Sequence, residues 1–328
     1  MTRVTPVQTP PASLADVPPR RGARGFLGWL MAPQRRGPLL ITPAIVTLVV
    51  VNIFPLMWSY GLSFFSYNAK YVTRPPRWNG LDNYVDLFTD PDVWSRFQNT
   101  AVIVIGSVFV QLVVGFLLAL LFSTEFPLRR YLLMLVLSPM MLSLSAVGVF
   151  FKLFYEPTLG FIPRSVQAVH YWITGVDEPF VILDTPLKAT IAIICADAWM
   201  WSPFVMLLVL AGLVSVPKYL YEAAEIDRAG TWRRFRTITF PYIRSLLLLA
   251  LLFRTIETFK IFDVVYVLTE GGPGSSTETI SVYLFRVAFN YFRTGRASAL
   301  GYITLFTVIV LTSLYLYAIQ SRSRPAAE

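Results

Sequence analysis

The sequence predicts an all-α integral membrane protein with six transmembrane helices and both termini in the cytoplasm. Three observations carry this. Of its 328 residues, 55% are hydrophobic and only 14% charged, against about 25% charged in soluble domains, and the mean hydropathy is +0.58. Apolar runs of about 20 residues, the length that crosses a bilayer, recur along the chain. Arg and Lys gather in alternate loops, the pattern of cytoplasmic loops in membrane proteins.

The apolar runs are Leu39 to Leu62, Ala101 to Phe122, Tyr131 to Phe154, Ala189 to Leu213, about Ser245 to Leu268, and about Leu300 to Ile319. They are continuous rather than alternating, so they read as helices and not as strands of a closed barrel. The fifth is interrupted by Arg254, Glu257, Lys260 and Asp263.

Basic residues set the orientation. Residues 1–38 hold six Arg, the loop after the second run holds Arg129 and Arg130, and the loop after the fourth holds Lys218, Arg228, Arg233, Arg234, Arg236 and Arg244. Arg322 and Arg324 follow the sixth run. The other loops carry about half as many over a longer stretch. The net charge of +9 is thereby explained as positive-inside charge, and no nucleic-acid partner is needed. The expected organisation is a basic, mostly disordered cytoplasmic tail (1–38), a six-helix membrane domain (39–319) with a polar hairpin at 217–243, and a short cytoplasmic tail (320–328). A cleavable signal peptide is not evident, because the first apolar run is too long and lies behind the tail.

One cysteine, Cys195, excludes an internal disulfide, and no CxxC or Cys/His cluster suggests zinc. Cys195 reads as a small buried apolar residue, and His170 as a surface residue of a loop. A membrane enzyme finds no HExxH or GxSxG support.

The most informative segment is YEAAEIDRAGTWRRFRTITFPYI, residues 221–243. Pro217 starts a helix over Glu222 to Ile226, and Gly230 can end it or let the chain turn. A second short helix would align Trp232, Phe235 and Ile238 on one stripe, away from Arg233, Arg234 and Arg236. Pro241 marks a turn into the fifth span. Two short helices at an angle make a projecting knob, which either lies on anionic headgroups or docks a protein.

This segment resembles the EAA loop of permease subunits of bacterial ABC importers, whose pattern is Glu-Ala-Ala, three residues, Gly, nine residues, Ile, one residue, Leu, Pro. Glu222, Ala223, Ala224, Ile238 and Pro241 match, Phe240 stands at the Leu position, and Arg228 stands where Gly is expected. Either the turn moves to Gly230, or residue 228 is helical. WNGLDNYVDLFTDPDVWSRFQNT (78–100), AWMWSPFVMLLVLAGLVSVP (198–217) and FRTIETFKIFDVVYVLTEGGPGSST (253–277) resemble segments of carbohydrate-importer permeases of the maltose/glycerol-phosphate type. The chain resembles the first of two paired permeases, the partner that carries the GGP segment, here Gly271-Gly272-Pro273.

The resemblance implies a type I ABC importer permease fold in the bacterial inner membrane. It implies a second permease, an ATPase dimer, an extracytoplasmic solute-binding protein and a carbohydrate substrate, with membrane lipid around the bundle. It also implies a non-catalytic subunit, with ATP and Mg bound only by the partner ATPase. The chain agrees in lacking a GxxxxGK[ST] loop. Coupling to the ATPase falls on Glu222, Ala223, Ala224, Asp227, Gly230, Ile238 and Pro241.

Charges at membrane depth are costly unless they face protein or water. Arg254, Glu257, Lys260 and Asp263 are spaced by three with alternating sign, so each can pair with the next. They either hold the bundle together or border a hydrated path. Candidates for a sugar path are Asp197, Trp199 and Ser202 of the fourth run and Glu257, Thr258 and Lys260 of the fifth. Residues 269–279, rich in Gly and Ser, are either a flexible connector or an element that meets the binding protein or shapes the upper gate. The alternative function is a stand-alone ion-coupled secondary transporter, with the fifth-helix charges as its relay.

Overall fold

The structure, a computed structural model, describes residues 33–71 and 73–323. Most of the predicted tail 1–38 and the end of the tail 320–328 lie outside the described residues. The first span is Ile41–Ser63, made of α1 (Pro33–Leu48), a π turn (Val49–Ile53) and α2 (Phe54–Ser63). A small hairpin follows, in which β1 (Phe65–Ser66) pairs antiparallel with β2 (Arg77–Trp78). Then come α3 (Asp82–Thr89), α4 (Pro91–Ser123), α5 (Arg129–Leu137), α6 (Leu144–Phe154), α7 (Phe161–Thr174) and α8 (Pro186–Val214). The remainder is α9 (Lys218–Ile226), α10 (Thr231–Arg234), α11 (Phe240–Phe259), α12 (Asp263–Leu268), α13 (Ile280–Phe285) and α14 (Thr294–Ser323).

Among the described residues, five helices are long and apolar enough to cross a membrane, or six if one bent pair counts as a span. That pair is the predicted third run. It is not one rod: α5 and its 3-10 extension meet α6 at 104°. The sequence there is Ser138-Pro139-Met140-Met141, followed by Ser143. Pro139 removes a backbone donor, and Ser143 caps a new helix by accepting from the Ala146 N–H at 3.2 Å.

The predicted fifth run, 245–268, also needs correction. The observed span is Thr231–Phe259, so it starts inside the polar hairpin and stops before Lys260. Ile261, Val264, Val265 and Leu268 leave the helix line and are buried instead against Val147 and Phe151 of α6 and Ile193 of α8. Thr279 Oγ1 donates to the Ile261 carbonyl freed by the break, at 3.1 Å.

Of the three π turns among the described residues, Val49–Ile53 and Phe235–Thr239 each precede a Phe-Pro pair, and Arg286–Asn290 does not. Phe54 N–H donates to the Val49 carbonyl and Phe240 N–H to the Phe235 carbonyl, each five residues back. Pro55 and Pro241 have no N–H to offer, and the wider turn lets the helix run through them.

Three helices, α4, α8 and α11, pack on one another, and α6, α12, α13 and α14 add further buried residues. α4 and α8 approach most closely, because a Cβ at Gly115 would come within 2.6 Å of Val205 Cβ and one at Gly106 within 2.5 Å of Ile194 Cδ1. α11 packs on both, with Ile243 and Ala250 fully buried against Met206 and Val209. Outward-facing Ile105, Phe109, Leu117, Leu153, Leu305 and Phe306 are exposed, the inverse of a soluble surface.

Candidate functional site

Two places gather polar chemistry. The first is the hairpin between α8 and α11. α9 closes with a Schellman pattern: Ala229 N–H donates to the Ala224 carbonyl at 2.9 Å and Arg228 N–H to the Glu225 carbonyl at 3.0 Å. This puts Arg228 at the position just past the helix, where its φ is +50°. Neither reading from the sequence holds. Residue 228 is left-handed rather than helical, and Gly230, at φ −63°, does not take over the turn. An Arg therefore adopts the conformation that glycine takes without penalty.

Arg234 braces the turn, its Nε donating to the Ala229 carbonyl at 2.8 Å and its Nη1 to Glu225 Oε1 at 2.9 Å. Tyr221 and Thr239 hydroxyls lie 2.9 Å apart. These three contacts tie α9 to the start of the fifth span. The sequence predicts a turn at Pro241, but the chain does not turn there. Pro241 sits in the first turn of α11, continuous with α10, so the hairpin's second arm is the foot of a membrane-spanning rod.

Glu222, Ala223, Asp227 and Gly230 are exposed, while Ala224 is buried. Of the predicted stripe, Trp232 is 72% exposed and stacks on Phe235 at 5.6 Å. Phe235 in turn meets Phe116 of α4 at 6.1 Å, and Ile238 is half-buried. Trp232, Phe235 and Tyr221 line a cleft of ≈ 740 Å³ that reaches Leu120 and Leu213.

The second place is a buried polar pin across the three core helices. Gln111 Nε2 of α4 donates to Asp197 Oδ2 of α8 at 2.6 Å. Arg254 of α11 donates from Nε to Gln111 Oε1 at 2.8 Å and from Nη2 to Thr258 Oγ1 at 2.9 Å, and its Nη2 lies 3.6 Å from Asp197 Oδ1. Its guanidinium rests over the Trp201 ring, 4.4 Å from the centroid. Arg254 and Asp197 are 2% and 3% exposed. Burial at this depth is tolerable because each charge has an opposite partner and further hydrogen bonds.

This revises the sugar-path candidates. Asp197 and Thr258 are engaged in the pin, and Ser202 is buried with its hydroxyl donating to the Ala198 carbonyl at 2.6 Å. The expected ladder of four charges is also broken up. Arg254 pairs across helices, Glu257 and Lys260 form an exposed pair at 3.0 Å, and Asp263 accepts from Ser145 of α6 at 3.0 Å. The spacing of three residues carries Arg254 away from the others, and α11 ends before Lys260.

Trp199 is partly exposed and stacks on Phe150 at 5.7 Å. Together with Cys195, Ser138 and Pro139 it borders a mainly apolar cavity of ≈ 560 Å³ beside the bend in the third run. Cys195 is exposed there rather than buried. His170 is exposed, as expected.

Residues 269–279 are not a flexible connector. Glu278 is buried and held by Arg96 at 2.9 Å and Arg286 at 2.8 Å. Asn99 donates to the Ser275 and Glu278 carbonyls. Gly271 sits at φ +86°, where a Cβ would come within 2.9 Å of Glu278 Cβ.

The sequence reading missed Gln111, Tyr221, Arg234 and Glu278. Gln111 carried a signal, as a lone amide inside an apolar run. Groups at three metal-ligand positions do not converge anywhere among the described residues.

A bundle of apolar helices joined by a polar pin, with one span extended into a braced polar hairpin, defines an integral membrane protein. Comparison with known proteins makes this specific. Residues 111–324 match the model of the binding-protein-dependent transport system inner membrane component. The sulfoquinovosyl glycerol transport system permease of Agrobacterium fabrum is 33% identical over 288 residues, 87% of this chain and 90% of the relative. The trehalose/maltose transport system permease of Thermococcus litoralis is 34% identical over 283 residues, 85% and 92% of the two chains. A solved bacterial ABC transporter involved in alginate import shares the fold with a TM-score of 0.74 at 22% identity, over 88% of this chain and 98% of that one.

The chain belongs to the family of binding-protein-dependent transport system inner membrane components. It is a multi-pass permease of the inner membrane.

Proposed function

We propose that the chain is one of two permease subunits of an ATP-driven carbohydrate importer. It forms half of the substrate path and receives the motor's stroke through the hairpin at 217–243. The observation that carries this reading is the continuity of α10 with α11, which makes the hairpin the end of a rod reaching the membrane core. Glu222, Ala223 and Ile226 of α9, with Asp227 at its C-terminal cap, present an exposed face, and the small Ala223 permits close approach. Ala224, Ile238 and Pro241 serve from behind, seating α9 and passing the helix into the span.

The partners of this reading are a second permease, an ATPase dimer that binds ATP and Mg, and an extracytoplasmic solute-binding protein. A solved relative of the same fold is complexed with an alginate pentasaccharide-bound periplasmic protein. Permeases for sulfoquinovosyl glycerol, trehalose/maltose and lactose among the relatives support a carbohydrate as cargo. Within the path, Trp199 offers an aromatic face, and the exposed Glu257 and Lys260 offer hydrogen bonds to hydroxyls.

The test is a cysteine at Ile226, which is 84% exposed, cross-linked in the assembled transporter. Capture of the ATPase subunit supports the reading; capture of lipid alone refutes it. Glu222→Lys reverses the charge of the same face and should abolish sugar uptake while the subunit still inserts. Unchanged uptake in that variant would count against coupling through α9.

A further inference from the structure

The segment between α6 and α8 lies at the end of α8 opposite the hairpin. Within it α7 is strongly two-sided. At 100° per residue, Phe161, Val169, Trp172 and Ile173 fall within one third of the helix circumference. His170, Thr174 and Gln167 fall on the other side, together with Arg164, whose Nε donates to the Thr158 carbonyl at 2.9 Å.

Only the start of α7 is used by the protein itself. Ile162 packs on the buried cluster around Val147 and Ile193, and Pro163 is buried. Beyond that turn the apolar side is uncovered: Trp172 is 86% exposed, and Val169 and Ile173 are exposed, as is Phe161 at the helix start. The polar side is finished: Gln167 bonds Asp177, and Gly175 closes the helix at φ +72° by donating to the Tyr171 carbonyl.

The uncovered side continues an interface that already exists. The Phe161 ring meets the Phe154 ring, 6.2 Å away at the end of α6. Val149 and Leu153 of α6 face outward with the lipid-facing belt. The height is also set, since Tyr155 Oη donates to the Ala192 carbonyl within the first two turns of α8 at 3.2 Å. α7 therefore starts at the level where a span emerges from hydrocarbon. Tyr171 and Trp172, the residue types that concentrate at membrane–water boundaries, lie at its far end.

We propose that α7 is an interfacial helix, lying in the membrane surface at the end opposite the coupling hairpin, with Phe161, Val169, Trp172 and Ile173 seated in lipid. It anchors the outer arm of the bent third run. The placement rests on the membrane location of the chain and not on the identity of its cargo.

The test uses the assembled transporter in vesicles of phosphatidylethanolamine and phosphatidylglycerol, with Cys195→Ser as background. Nitroxides are placed at Val169 and Trp172 on one side and at His170 and Thr174 on the other. Collision with oxygen should exceed collision with a water-soluble nickel chelate several-fold at 169 and 172, and the order should reverse at 170 and 174. Equal access to the chelate on both sides overturns the proposal. So does shielding of 169 and 172 from both probes, which marks a protein cover such as the binding protein or second permease. Unsubstituted transporter reports independently. A phospholipid with a photoreactive acyl chain should label the peptide 161–174. Labelling of the first span but not of that peptide overturns the proposal.

Discussion

Arg228 occupies a backbone conformation that costs an L-residue roughly 1–2 kcal/mol relative to the right-handed region. Glycine would remove this strain while adding about 0.5–1 kcal/mol of unfolded-chain entropy. Arg228→Gly should therefore raise stability by about 0.5 kcal/mol net. The check is a thermal melt of the purified subunit, and a lowered midpoint would contradict it. The position of this turn was legible in the sequence through the spacing from Glu222 to Pro241, but its occupant was not. A Schellman closure is set by carbonyls of Ala224 and Glu225, and no side-chain pattern reports those. The pin was less legible. Arg254 and Asp197 stand 57 positions apart, and only helix packing brings them together around Gln111. Arg254→Leu leaves Asp197 buried without its counter-charge and should cost about 3–5 kcal/mol. The double change Arg254→Leu, Asp197→Leu should recover much of this in a denaturation series. Equal losses in single and double variants would show that the charges are not paired in the folded protein.

At the scale of elements, the spans were legible because apolar length alone identifies them. Their ends were not. Residues 261–268 are as apolar as a span, yet they fill a space between α6 and α8, and hydropathy cannot distinguish burial in protein from burial in lipid. The 104° bend of the third run was signalled only by Pro139 and Ser143. The loop 269–279 misled by composition, since its glycines suggested freedom while Glu278, clamped by Arg96 and Arg286, supplies order. Gly271→Ala places a Cβ against Glu278 at a positive φ. It should destabilise this loop by about 1–3 kcal/mol, read as faster hydrogen exchange over residues 269–279. Exchange equal to that of the unaltered protein would show that the clamp does not depend on this glycine.

For the whole molecule, the separation of the fifth-helix charges argues against the ion-coupled alternative. A relay needs contiguous groups that exchange protons, whereas Arg254 pairs with Asp197, Glu257 with Lys260, and Asp263 with Ser145. Uptake by the reconstituted assembly should persist when a protonophore or sodium ionophore collapses the gradients, and should stop when ATP is withheld. Uptake by this chain alone in vesicles would reverse that conclusion. A final consequence follows from Gly106 and Gly115: at Gly115 α4 meets the Ser202 carbonyl and Val205 Cβ of α8 too closely for even a methyl group, and the notch at Gly106 is filled by the Ile194 side chain. Two helices keyed at both notches cannot slide or roll past each other, so they behave as one stiff plank. Any rocking that admits cargo must then happen along the plank's edges, against the elbow of the third run or the rod of the fifth, and never down its middle.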